Sequence, residues 1–257
     1  EERSGDLVWR IGAERKDERR LIIVDINEQS LQEIGPWPWP RATQARLIEK
    51  LAKAGVRQQI LDIVLTDVKP DDAVLNRVLQ QQQPVLAQIF ALESGTGPSS
   101  GKPAGALDWA ACPLIFPQAT GFLATATTLA GRLVGHITPR VAPDGMVRHQ
   151  PAIICHEGLS YPALSLVALM NGTAETGLVM QRGASLLDAP WTLSGRSQAL
   201  PAIPLDENGD IRIPWKLHPD SFISLSAADV LADRVPAGLL NNAWVLVGSS
   251  AFGLHDA

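Results

Sequence analysis

The sequence predicts an α/β fold: a mostly parallel central sheet flanked by helices, with a strand-rich insertion in the middle of the chain. Three observations carry this. The apolar run LIIV at 21–24 is continuous rather than alternating, as suits a strand covered on both faces, and the largely apolar stretches at 59–65 and 244–247 read as further buried strands. Amphipathic helical patterns separate the early runs, which is the rhythm of βαβ units. From about Gly121 the pattern turns strand-rich.

Residues 1–20 read as a polar lead-in, helical around 6–11. The run RKDERR at 15–20 mixes acids with bases and reads as a solvated segment before the first strand. That strand is LIIV, closed by Asp25. Asn27 is an N-cap type, and Ile26, Leu31 and Ile34 offer one apolar face to the turn and helix that follow. Pro38 and Pro40 keep Trp37 and Trp39 out of the helical region, so the helix ends by Gly35 and the two indoles sit on a stiff, extended rod.

Residues 41–54 form the next amphipathic helix, with Leu47, Ile48 and Leu51 on one face and Gly55 as its stop. Residues 59–65 are the second buried strand. Residues 72–83 are a helix with Val74, Leu75, Val78 and Leu79 apolar, and with Asp71 and Asp72 at its start, where acids suit the helix dipole. Residues 84–90 are a third strand. Residues 94–105, SGTGPSSGKPAG, form a mobile loop with nothing to bury.

Further strands are expected at 121–124, 133–137 and 146–154. A helix at 161–170 takes Pro162 in its first turn and stops at Asn171-Gly172. Residues 178–201 are irregular or made of short strands, and 211–214 are a strand. Residues 226–231 are a helix capped by Ser226, with Asp229 completing a capping box. The last strand is 244–247. The whole reads as one domain with a large inserted middle and no internal repeat.

Of 257 residues, 46% are hydrophobic and 19% charged, an ordinary globular balance with ample material for a core. A formal net charge of −5 leaves no nucleic-acid-binding footprint. No run approaches the roughly 18 apolar residues of a membrane span. The chain begins Glu1-Glu2 without Met and stops just after a buried-strand pattern, so both ends are expected to continue into a longer protein. Cys112 and Cys155 are not in CxxC spacing. They read as two isolated buried thiols, with a disulfide open to them in an oxidising compartment.

The acids at the strand ends are the chemical centre of the sequence. In open α/β sheets ligands collect beyond the carboxyl ends of the strands. Asp25 closes the first strand, Asp62 lies inside the second, and Asp67 marks its exit. A carboxylate beside an apolar run is costly unless it is paired. Asp25, Arg41, Asp62, Asp67 and Asp72 (with Asp71 beside it) are therefore the candidate site for a polar ligand or cation. The competing use is structural: these acids cap helices or pair with Arg41, whose planar guanidinium suits carboxylates. Trp37 and Trp39 read first as core packing, and otherwise as a ligand wall or a contact between copies. A helix opening at Tyr161-Pro162 offers its N-terminus to an anion.

Catalytic patterns fail on inspection. GTGPSSGKP is one residue too long for a phosphate loop, and Lys102 is followed by Pro103. His156-Glu157 lacks the second histidine of a zinc-protease helix. VGSSAFG misses a nucleophile elbow by one residue. No catalytic residue, metal or cofactor is expected.

The segment IVDINEQSLQEIGPWPWPR at 23–41 strongly resembles the opening signature of CHASE2 domains, in which the position of Asn27 usually holds a second acid. Ala54-Gly55, ILDIVLTD (60–67), Asp71-Asp72, PDGMVRHQP (143–151), YPALSLVAL (161–169), IRIPW (211–215) and AWVLVGSSAFGLHDA (243–257) follow in the family's order, so the resemblance covers nearly the whole chain. It implies an extracytoplasmic sensory input domain at 21–257, with 1–20 following an upstream transmembrane helix. The parent would be a bacterial inner-membrane receptor with the domain in the periplasm. The implied partners are the flanking membrane helices, a cytoplasmic output module, a small-molecule or ion ligand of unknown identity, and a second copy of the domain. The output would be a histidine kinase, nucleotide cyclase, diguanylate cyclase or Ser/Thr kinase, with the domain itself not an enzyme. Two alternatives stay open. One is a periplasmic solute-binding module. The other is a metal-dependent phosphohydrolase of the haloacid-dehalogenase kind, in which Asp25 would be the nucleophile and Asn27 stands where a second aspartate is usual.

Overall fold

The structure is a computed structural model, and it describes residues 17–251 except 94 and 186, with the side chain of 219 also left aside. The helix expected around 6–11 and the terminal stretch 252–257 lie outside the described residues. In chain order the first elements are β1 (Glu18–Asp25), α1 (Glu28–Ile34), α2 (Arg41–Lys53), β2 (Gln58–Leu61), α3 (Asp72–Gln82) and β3 (Val85–Ala91). Then come β4 (Ser99–Ser100), β5 (Gly121–Leu123), β6 (Leu133–His136), β7 (Arg140–Val141), β8 (Val147–Pro151), β9 (Ile153–His156) and β10 (Leu159–Pro162). The last are α4 (Leu164–Gly172), β11 (Leu178–Arg182), β12 (Trp191–Gly195), β13 (Ile203–Leu205), β14 (Asp210–Arg212), β15 (Phe222–Ser226), α5 (Ala227–Leu231) and β16 (Trp244–Gly248). Broadly this is α/β: mostly parallel pairing in the main sheet, five α-helices among the described residues, and additional antiparallel sheets.

The chain divides into two compact units. The first takes Glu1–Asp62, Lys69–Pro84 and Pro214–Ala257, and the second Ile63–Val68 and Val85–Ile213.

In the first unit four parallel strands run in the order β15-β1-β16-β2. β1 is hydrogen-bonded on both sides, so its apolar run is interior to the sheet. Its two faces are unequal: Ile22 and Val24 are fully buried, whereas Leu21 and Ile23 are only partly so. α2 packs on α3 and α5, and α1 on α5. The amphipathic readings hold where one stripe faces this packing: Leu47, Ile48 and Leu51 of α2, and Leu75, Val78 and Leu79 of α3. Val74 departs from that reading and is exposed, because the stripe that α3 buries leaves it outside.

β2 ends at Leu61, short of the strand expected to reach residue 65. The tryptophan block also differs. It bends over residues 36–38, with a cis Trp37–Pro38 peptide, rather than running as an extended rod. Trp39 is buried and its indole Nε1 donates to the Gly35 carbonyl at 2.9 Å. Trp37 is half-buried and meets Trp39 edge to face, with ring centres 5.4 Å apart.

In the second unit β3 pairs parallel with β6 and antiparallel with β5, and α4 packs against β3 and β6. The region expected as one strand at 146–154 is two, β8 and β9, and they join different partners: β8 with β7 and β14, β9 with β10. The β9–β10 turn is Glu157-Gly158, both with positive φ, 49° and 78°, as a two-residue hairpin turn that matches strand twist requires. The 178–201 segment, with the residues after it, folds as the antiparallel sheet β11-β12-β13. The small-residue loop is more ordered than expected. It contains β4 paired to β5, and a Cβ at Gly101 would come within 2.1 Å of the Ala124 carbonyl, so it lies directly on its neighbour.

Two expectations are overturned here. Tyr161 and Pro162 belong to β10, paired with Ile154 and Ile153, and the helix begins only at Leu164. No helix N-terminus opens at Tyr161, because its ring is drawn into a cluster with Phe90, 5.0 Å away. The cysteines are not isolated thiols: Cys112 and Cys155 form a disulfide, Cα atoms 5.8 Å apart, across 43 residues. Sequence distance hid this, since only the fold brings the segment before Phe116 against β9.

His136, at the end of β6, is fully buried, and neither ring nitrogen has a hydrogen-bond partner among the described residues. Burial pushes its pKa from 6.5 down to about 3. The unfolded chain therefore binds a proton below pH 6.5 that the folded chain refuses until about pH 3. Stability is complete above pH 6.5 and is lost progressively between 6.5 and about 3. Urea denaturation at pH 5 should show about 2 kcal/mol less stability from this group than at pH 7.5. His136→Leu should remove that part of the pH slope.

Candidate functional site

The carboxyl ends of the first unit's four strands lie along one edge of the sheet. Asp25 closes β1 and stands opposite Ser226 of β15 on one side and Gly248 of β16 on the other. Asp62 is the first residue past β2 and donates its backbone N–H to the Val247 carbonyl at 2.8 Å. Both aspartates thus flank the end of β16. The early end of β2 places Asp62 at the strand's rim, not inside it as the ILDIVL pattern suggested. At Gly248 an added Cβ would lie 3.9 Å from that of Asp62, an ordinary van der Waals contact.

Asp25 is held rather than free. Its Oδ1 accepts from the Ser250 backbone N–H at 2.9 Å and its Oδ2 from the Ser250 hydroxyl. The Ser249 hydroxyl donates to the Ile26 carbonyl at 3.0 Å. The chain leaving β16 is tied by these bonds to the chain leaving β1. Asp62 differs: it is open to solvent on one side, while the protein around its carboxyl displaces water and raises its pKa above the ordinary carboxylate range. Chemically, it is a surface acceptor for a hydrogen-bond donor or cation, with a proton affinity higher than a free aspartate's.

Beside Asp25 a second polar cluster forms around Asn27. Its Oδ1 accepts from the Ser30 N–H at 3.0 Å, the Ser30 hydroxyl at 3.0 Å and the Ser226 hydroxyl at 2.9 Å. Asn27 caps α1 as expected, and through Ser226 it also joins the start of α5. Asn27→Ala should therefore cost about 1–2 kcal/mol, the upper part of the range for a helix cap, because buried hydroxyls lose an acceptor with it. Asn27→Asp should cost less, since a carboxylate accepts the same bonds; chemical denaturation of the two variants checks the order. Asp229 does not act as the expected capping partner: its Oδ1 accepts from Arg234 at 2.7 Å and Gln29 at 3.2 Å.

Arg41, Asp71 and Asp72 assemble into a different structure. Arg41 Nε donates to Asp72 Oδ1 at 2.8 Å, with both side chains almost fully buried. The Arg41 backbone N–H donates to Asp71 Oδ2 at 2.9 Å. Asp72 Oδ2 accepts from the Lys69 N–H at 3.0 Å. Gln44 links Arg41 to the Trp39 carbonyl. These residues join the start of α2 to the start of α3. Asp67 belongs to the other compact unit, where it lies exposed in the Ile63–Val68 segment. Of the five predicted site residues, then, Asp25 and Asp62 share one strand edge, Arg41 and Asp72 share a buried ion pair, and Asp67 lies in the second unit. Trp39 packs in the core and Trp37 is partly accessible. Ser226, Ser249 and Ser250 were not anticipated as edge residues, although a polar Ser-Ser directly after the VLVG strand is a signal for a strand-end turn.

No described group of three or more His, Cys, Asp or Glu side chains is arranged to hold a metal ion. Among the described residues no helix is long and apolar enough to cross a membrane. No curated protein and no solved structure matches the chain. The model of the CHASE2 domain family matches residues 1–257, its full length. CHASE2 domains are sensory domains typically found in receptors, and this chain belongs to the CHASE2 domain family.

Proposed function

We propose that this chain is the extracytoplasmic input domain of a membrane-bound signalling protein. Its output module would be a histidine kinase, nucleotide cyclase, diguanylate cyclase or Ser/Thr kinase. The observation that carries the reading is the match of the whole chain to a sensory family. The Cys112–Cys155 bond supports the compartment, since structural disulfides persist where the surroundings are oxidising. The domain works by binding: a ligand, or a change in pairing between two copies, shifts its conformational equilibrium only by its differential affinity for the two states.

The test is topological. In intact spheroplasts expressing the full-length gene, externally added protease should digest this domain, and thiol trapping should find Cys112 and Cys155 oxidised. A domain protected until the cells are lysed sinks the proposal.

A further inference from the structure

The second unit contains a cleft of about 510 Å³ at a distance in sequence from the strand edge. One wall is the segment 105–109. It is pinned by the Leu107 N–H to the Ser160 carbonyl at 2.8 Å and by Trp109 Nε1 to the Leu178 carbonyl at 3.1 Å. Three residues beyond Trp109, the Cys112–Cys155 bond ties the same segment to β9. The opposite walls come from β6, α4 and the 174–178 turn. Leu107, Trp109, Leu133, Val167, Met170 and Leu178 make the lining largely apolar. Its size suits a fragment to a small metabolite.

Four charged residues line it: Arg132, Arg196, Asp108 and Glu175. Their availability is unequal. The Glu175 carboxylate is consumed by its own turn. Oε1 accepts from the N–H groups of Thr176 and Gly177 at 3.0 and 3.2 Å, and Oε2 from the N–H of Ser197 at 3.0 Å and its hydroxyl at 2.5 Å. Arg132 and Arg196, by contrast, have no side-chain partner among the described residues, and both are exposed at the cleft. Arg196 lies along Gly177, where an added Cβ would come within 2.8 Å of its side chain. The missing side chain at 177 is what lets the arginine follow the cleft wall. Asp108 is exposed and lines the cleft with both arginines. A preformed apolar cleft carrying two uncommitted guanidiniums, beside an acid already saturated with donors, is complementary to an anion with an apolar body.

We propose that this cleft binds a small organic carboxylate, its apolar part against Trp109 and Met170 and its acid group held by Arg132 and Arg196. The inference concerns binding alone and goes beyond the receptor reading. That reading is tested by topology and this one by titration, so each fails separately.

The probes are benzoate and hexanoate, with benzamide as the neutral counterpart, titrated calorimetrically into the purified chain. At least one carboxylate should bind saturably, and benzamide should bind about tenfold more weakly than benzoate. Combining Arg132→Gln with Arg196→Gln should weaken carboxylate binding about tenfold or more while the melting temperature stays unchanged, as expected for exposed side chains. Trp109→Phe should weaken both benzoate and benzamide, because it trims the apolar wall they share. No saturable binding of either carboxylate up to about 10 mM, where fragment-sized ligands register, overturns the proposal. So does equal binding of benzoate and benzamide, or wild-type affinity in the double arginine variant.

Discussion

Asp72→Ala is expected to destabilise the protein by about 3–5 kcal/mol in urea denaturation, the cost of leaving a buried guanidinium without its carboxylate. The reason lies in how two helices start. Arg41 is the first residue of α2, where a cation opposes the helix dipole, and α2 has no acid in its own first turn. Asp71 and Asp72, at the start of α3, supply the missing negative charge from across the packing interface. Asp72 also caps its own loop through Lys69, so its removal loosens both elements. The double variant Arg41→Met, Asp72→Leu should recover most of the loss, because no unpaired charge remains buried. A loss below about 1 kcal/mol for Asp72→Ala would mean that the pair behaves like an exposed salt bridge, contrary to its burial.

Removal of the disulfide should cost a comparable amount. Closing a loop of 43 residues restricts the unfolded chain by about 4 kcal/mol in the loop-entropy account. The variant Cys112→Ala, Cys155→Ala should lose about that much in denaturation experiments. Dithiothreitol should shift the midpoint of the wild-type protein and leave that of the double variant unchanged. Cys155 sits in a cluster with Phe116, Ile153 and Leu166, so part of the loss should persist as reduced packing even when both forms are compared under reducing conditions. An unchanged wild-type midpoint under reductant would show that the loop is closed by packing alone.

Much of the first unit was legible along the chain. LIIV, the Asn27 cap, the Leu47–Ile48–Leu51 stripe and WVLV are local patterns that placed their elements, and the helix stripe is buried as read. LIIV and WVLV, read as covered on both faces, bury Ile22, Val24, Val245 and Val247 fully and leave Leu21, Ile23, Trp244 and Leu246 only partly covered. The same patterns misjudged where elements stop. ILDIVL is apolar on both sides of Asp62, yet the ladder with β16 runs only from Gln58 to Leu61, because a strand extends only as far as its partner pairs with it. YPALSLVAL has a helical period, yet its first two residues pair with β9, because a strand partner and an aromatic cluster outweigh intrinsic preference. Val74 looked like core for a similar reason: hydrophobicity says that a residue tolerates burial, and only packing says whether a neighbour covers it.

The candidate site divides the same way. By itself the sequence determined the chemistry available: acids at strand ends, an arginine beside a tryptophan-proline block, two cysteines, and an order of motifs that identifies the family. The tertiary structure decided what each group does. It gave Asp25 to Ser250, Arg41 to Asp72 and Cys112 to Cys155, and it left Asp62 at the open strand edge and Arg132 and Arg196 at the cleft. These partners lie from 31 to 225 residues away along the chain where pairing is observed. An ionisable group's role depends on which charges and donors stand within a few ångströms of it, and a linear sequence does not contain that distance.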